Sequence, residues 1–194
     1  MKVLKTSLIY LLVSFVLVAC SSNPIPKPRG YFRIELKDKD YITYQSDCPV
    51  ELEIPVYSKI ELFPSESTDS CWFNLYFPRH KARIHLTYLS IHGDLDKYLE
   101  DAYQFAFKHE MKANAIKSKS VSFPEKQVNG LVYELTGNVA SPLQFYVTDS
   151  AHHFLRGALY FNHKPNPDSI APVLDYLTDD VIHLMETINW RDGE

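Results

Sequence analysis

An α+β fold, in which an antiparallel β-sheet is packed by two main helices, is predicted by three features of the sequence. Several short runs alternate apolar and polar residues, and the connections between the later runs are too short for parallel crossovers. Two longer segments instead repeat apolar residues at helical spacing, so each has one stripe to bury against a sheet.

The elements follow in order. Gly30–Leu36 alternates and reads as a first short strand, and Tyr41–Tyr44 as a second. Val50–Tyr57 alternates again, with Pro55 confining it to an edge or a strand end. Residues 64–70 are loop formers. Cys71–Phe77 and Arg83–Ile91 flank a Pro78-Arg79-His80-Lys81 turn and should pair as an antiparallel hairpin. The period then changes: Asp94 stands at an N-cap position before Leu95, Tyr98, Leu99, Ala102, Phe105, Ala106 and His109, predicting a helix over 94–111. A Lys/Ser-rich connector leads to Val121–Phe123 and Lys126–Val128 around a proline, and Asn129-Gly130 signals a tight turn. Leu131–Thr136, Gln144–Thr148 and Phe154–Phe161 read as strands. The last helix starts near Asp168 with Pro172 in its first turn and presents Ile170, Val173, Leu174, Leu177, Val181, Leu184, Met185 and Ile188. It should dock on the same sheet. This outline resembles the PsbP/Mog1-like sandwich, whose members share a central helix, a hairpin after an Asn-Gly turn and a C-terminal helix.

Residues 1–19 read as a lipoprotein signal peptide. Lys2 and Lys5 form the charged start, Ser7–Val18 is almost wholly apolar, and Leu17-Val18-Ala19 leads into Cys20. The stretch is too short to span a bilayer, which takes ~20 residues. Small residues before a cysteine are what a lipoprotein signal peptidase accepts, so the mature chain begins at an acylated Cys20. Several acyl chains, each buried methylene contributing ~0.8 kcal/mol, make such an anchor effectively irreversible. Residues 20–30 carry three prolines and no hydrophobic periodicity, a tether of polyproline character. Residues 31–194 then form a single α+β domain. No acidic residue closely follows Cys20, which favours an anchor facing the periplasm, on the outer membrane ahead of the inner.

Loss of residues 1–19 leaves 24 acidic against 18 basic side chains, a formal charge of −6 without a basic stripe, which argues against nucleic-acid binding. Thirteen Tyr and 11 Phe cluster in the strand-like runs, predicting heavily aromatic sheet faces. In an exported chain, Cys48 and Cys71 either bridge, closing a loop of 24 residues and contributing ~3 kcal/mol, or persist as buried thiols; neither has metal-ligand spacing. His80, His85 and His92 stand at odd separations, which on strands puts neighbours on opposite faces and opposes a metal site. Asp149, Ser150 and His152 hold the letters of a catalytic triad, but they crowd one loop and follow no nucleophile elbow. No phosphate-binding loop is present either. The expectation is a non-enzyme without cofactor. Within 141–172, Asp149, His153, Phe154, Arg156 and Tyr160 make the candidate partner-binding edge, with Arg156 as its polar anchor. A periplasmic ligand carrier with an aromatic pocket is the alternative.

The Asp47-Cys48-Pro49, Cys71-Trp72, Phe77-Pro78, Ile84–Leu86, Lys108–Ile116, Thr148–Phe161 and Glu186–Trp190 segments are together similar to the gliding-motility lipoprotein GldD family of Bacteroidetes, over essentially the whole mature chain. The resemblance implies a lipoprotein required for gliding, working with other gliding lipoproteins and the type IX secretion apparatus in the cell envelope. It implies no catalytic residues, and it gives Cys48 and Cys71 a shared role. Replacing Cys20 by Ala should move the protein from the membrane pellet to the soluble fraction of lysed cells; retention of Cys20→Ala through a high-salt wash would exclude a chiefly lipid anchor.

Overall fold

The computed structural model describes residues 34–45, 48–62, 70–108, 113–162 and 167–191, all within the compact unit Ile34–Glu194. The signal peptide, Cys20, the tether, Asp47, His109 and most of the 64–70 loop lie outside them. Among the described residues ten strands form two antiparallel sheets. In the smaller, β2 (Val50–Pro55) lies between β1 (Tyr41–Gln45) and β10 (Asn189–Trp190). The larger is built from β3 (Lys59–Leu62), β4 (Ser70–Phe77), β5 (Ala82–Ser90), β6 (Ala113–Phe123), β7 (Val128–Gly137), β8 (Leu143–Thr148) and β9 (His153–Phe161). Its spatial order is β3-β4-β5-β9-β8-β7-β6, so β9 joins a β3-β4-β5 meander to a β6-β7-β8 meander.

Alternation sorts the strand residues. Phe73, Leu75, Phe77, Ile84, Leu86, Tyr88, Phe145, Val147, Leu155 and Leu159 point to one face and are buried there. Against them packs α2 (Pro167–Thr187), through Val173, Leu177, Val181, Leu184 and Met185, with Val50, Leu52 and Ile54 of the small sheet closing the core. The opposite face is only partly covered. There α1 (Leu95–Phe107) lies along β8 and β9, seating Ala102 on Phe154 and Ala106 beside Tyr133 and Leu135. A disulfide between Cys48 and Cys71, with Cα atoms 5.9 Å apart, ties the small sheet to β4.

Several expectations are corrected. The antiparallel pairing and the two helices are as expected, but the strands form two sheets, because the two-residue β10 and the β1-β2 hairpin make their own ladder; the two helices cover opposite faces of the large sheet. Ile34–Leu36 is not a strand; its alternating side chains are exposed and no neighbouring strand pairs with it among the described residues. Asn129-Gly130 lies within β7, and the reversal is made by a 3-10 turn, Pro124–Lys126, followed by Gln127 at φ 53°. Gly130 is required by a close approach, since a Cβ there would sit 1.9 Å from the Tyr146 carbonyl oxygen of β8. The Lys/Ser-rich connector is the edge strand β6, whose Lys117 and Lys119 suit an unpaired border. Pro167 takes the first helical position of α2 and Pro172 falls in its second turn.

One buried acid fastens the start of the domain. Asp180 of α2 is 2% exposed and accepts from Lys39 Nζ at 2.7 Å, Tyr41 Oη at 3.0 Å and Tyr57 Oη at 2.8 Å. The Lys39 ammonium also lies 3.6 Å from the centre of the Tyr176 ring, and Tyr176 Oη donates to the Lys37 carbonyl. Burial, followed by hydrogen bonding within this cluster, holds the Tyr41 and Tyr57 hydroxyls far above the ordinary tyrosine range, so both remain donors. Replacing Asp180 by Ala strands these donors. Chemical denaturation of Asp180→Ala should show a loss of about 2–4 kcal/mol, and a loss under about 0.5 would deny the cluster this role.

Candidate functional site

The partly covered face of the large sheet carries an ordered set of polar and aromatic side chains. The pairing aligns Trp72, Thr87, Arg156 and Tyr146 in one row across β4, β5, β9 and β8. Asn74, His85, Ala158 and Gln144 form the next, and Tyr76, Arg83 and Tyr160 a third. Residues at i and i+2 share a face, so this surface is fixed once β9 is seated between β5 and β8.

Toward the β3 edge the groups satisfy one another. Arg83 grips Glu61 with Nε to Oε2 at 2.9 Å and Nη2 to Oε1 at 3.2 Å, and its guanidinium lies 4.2 Å from the centre of the Tyr76 ring. Asn74 Nδ2 donates to Glu61 Oε2 at 3.4 Å. That amide orientation leaves Asn74 Oδ1 to accept from His85 Nδ1 at 2.8 Å. Burial, then the Arg83 charge, holds the His85 imidazole below its ordinary value, so it is neutral near pH 7 with Nε2 as an acceptor.

Beside α1 the groups are not satisfied. A cleft of about 410 Å³ opens there, with Arg156, Lys108, Phe105, Gln144, His85 and Tyr160 in its wall. The Arg156 guanidinium lies 4.1 Å and the Lys108 ammonium 4.5 Å from the centre of the Phe105 ring, cation–π contacts to one aromatic. Neither cation has an ion pair among the described residues, and the cleft wall contains no carboxylate. Gln144 is 6% exposed and its Nε2 has no hydrogen-bond partner. Such a donor costs the fold ~1–3 kcal/mol.

Of the five residues of the expected edge, the structure brings Arg156 and Tyr160 onto this face. The other three serve the turn and the packing. Asp149 Oδ1 accepts the backbone N–H groups of Ala151, His152 and His153 at 2.8–2.9 Å, shaping a turn with Ser150 at φ 67°. His153 is buried on the opposite face, bonded to Tyr88 Oη at 2.7 Å and stacked on Trp190. Phe154 is enclosed beneath α1 between Tyr146 and Tyr98. The His152 side chain is 79% exposed and comes no closer than 3.9 Å to Asp149, whose Oδ1 is committed to backbone. Among the described residues no three His, Cys, Asp or Glu side chains are placed to hold a metal, and no helix is long and apolar enough to cross a membrane. Sequence reading missed His85, Phe105, Lys108 and Gln144, which approach only through strand register and the placement of α1. Their one local signal is parity, because Gln144 alternates with the buried Leu143 and Phe145.

Fold and face together define a small α+β domain with a hydrogen-bonding sheet surface. The model of the family described as gliding motility lipoprotein GldD matches residues 21–190, and the chain belongs to that family. No curated protein and no solved structure matches it. The family is a lipoprotein family, which makes this a membrane-anchored envelope protein with a role in gliding motility.

Asp149 gives the fold a measurable acid dependence. Burial raises its carboxyl pKa, but the three N–H donors outweigh that and hold it below the ordinary value. A depressed carboxyl stabilises fully above its unfolded pKa of ~4, and that stabilisation is lost as pH falls through the folded value. The stability difference between wild type and Asp149→Ala should therefore be constant from pH 7 to about 5 and shrink below about 4 in denaturant titrations; a constant difference down to pH 2.5 would refute it.

Proposed function

We propose that the protein is a non-enzymatic component of the gliding apparatus, anchored by acyl chains on Cys20 and facing the periplasm, outer membrane ahead of inner. In this reading it docks onto or stabilises other gliding lipoproteins and proteins of the type IX secretion machinery. Family membership supports the process, and one observation carries the docking: Arg156 stands on an incompletely covered sheet face without a salt bridge among the described residues, the Asp101 charge acting on it only at longer range. Tyr160 shares that face, and Trp72, 42% exposed, extends it as an aromatic contact of the kind that dominates interfaces. The aromatic interior does not favour a carrier cavity, since Phe73, Phe77, Tyr88 and Phe145 are fully buried against one another and α2.

In-cell crosslinking of the lipidated protein, followed by tag purification and mass spectrometry, tests the reading. Gliding and type IX secretion proteins should be enriched with wild type and depleted by about tenfold with Arg156→Glu. Equal enrichment with both would move docking off this face. If deletion leaves motility, cargo export and partner levels unchanged, the role itself is wrong.

A further inference from the structure

The cleft beside α1 lacks a counterpart for its own chemistry. Two cations converge on Phe105 with no carboxylate in the cleft wall and no ion pair among the described residues, the Asp101 charge reaching Arg156 only from beyond salt-bridge distance, and the Gln144 amide nitrogen is buried on the same wall without a hydrogen-bond partner. A planar carboxylate matches the guanidinium fork of Arg156 and would also satisfy Lys108 and Gln144. The cleft, at about 410 Å³, has room for much more than a carboxylate. Its remaining wall is polar: the Thr87 and Tyr160 hydroxyls donate or accept, and neutral His85 offers Nε2 as an acceptor because its Nδ1–H is held by Asn74. Such a wall suits a body bearing hydroxyl groups, and an alkyl chain would leave those groups unmatched.

We propose that this cleft is a binding site for a sugar acid, its carboxylate held by Arg156, Lys108 and Gln144 and its hydroxyls by Tyr160, Thr87 and His85. The site goes beyond protein docking, because it requires a small ligand and reaches beneath the exposed face to a side chain no partner surface need touch.

The test is direct binding of D-glucuronate and D-galacturonate to the full lipoprotein in nanodiscs, by titration calorimetry and ligand-observed NMR. At least one should bind saturably with Kd below about 1 mM, and neutral glucose should bind at least about tenfold more weakly. Gln144→Leu and Arg156→Gln should each weaken binding by about tenfold or more. Gln144→Leu also removes an unpartnered buried amide, so its Tm should equal or exceed that of wild type, showing that the binding loss is not unfolding. No saturation up to about 10 mM, equal binding of glucose, or unchanged affinity in both variants would overturn the site. So would displacement by inorganic phosphate at equal concentration, since that would reduce the cleft to a general anion hole. Crosslinking with intact partners in Gln144→Leu separates this site from the docking reading.

Discussion

Strand β9 is the constraint on which the rest of the molecule depends. The two meanders of the large sheet, β3-β4-β5 and β8-β7-β6, have no ladder with each other; each is bonded to β9. Its seating requires Gly157, where a Cβ would lie 2.3 Å from the Phe145 ring of β8, so an aromatic of the core occupies the space a side chain would need. Leu155 and Leu159 then point into the main core while Arg156 and Tyr160 point the other way. The same backbone thus sets the packing and aims the candidate site.

The face that β9 completes is chemically uneven. On one side of it, Arg83, Glu61, Asn74 and His85 form a continuous hydrogen-bonded chain, whereas Arg156 and Lys108 have no ion pair and Gln144 Nε2 no acceptor among the described residues. Arg156 and Gln144 stand on the same pleated surface as the satisfied set and Lys108 reaches it from the end of α1, so the difference is one of composition, not of exposure alone. A folded domain ordinarily satisfies its buried polar atoms, and a local shortage of acceptors beside a local surplus of positive charge is the pattern of a surface shaped around something else.

How much of this was legible in the sequence follows from which signals are local. The β4-β5 hairpin and the buried stripe of α2 are written in periods of two and 3.6 and could be read directly. Strand β6 could not, because an edge strand with solvent on most sides tolerates Lys and Ser at positions a central strand would fill with apolar groups. Asn129-Gly130 misled because glycine answers two needs, a left-handed turn and a close backbone approach, and only the neighbouring β8 shows which applies. At the site, His153 was expected on one edge with Arg156 and Tyr160, whereas strand alternation puts it on the face opposite them. Phe154 shares their parity but lies under α1, and Gln144 and Lys108 arrive from elements whose order in the sheet no local pattern encodes.

The Asp180 cluster has a mechanical meaning under the N-terminal anchor proposed above. Strand β1 is an edge strand bonded to β2 alone, with Tyr41 opposite Pro55 at the end nearer the N-terminus. Tension entering there would unzip its ladder one rung at a time, the direction in which a β-pair resists least. Lys37 and Lys39 would meet that tension first, clamping the chain to the middle of a 21-residue helix that itself packs against residues of both sheets. Drag on such an anchor would thereby pass from a fragile border to the bulk of the domain, as a cable clamp relieves the joint behind it.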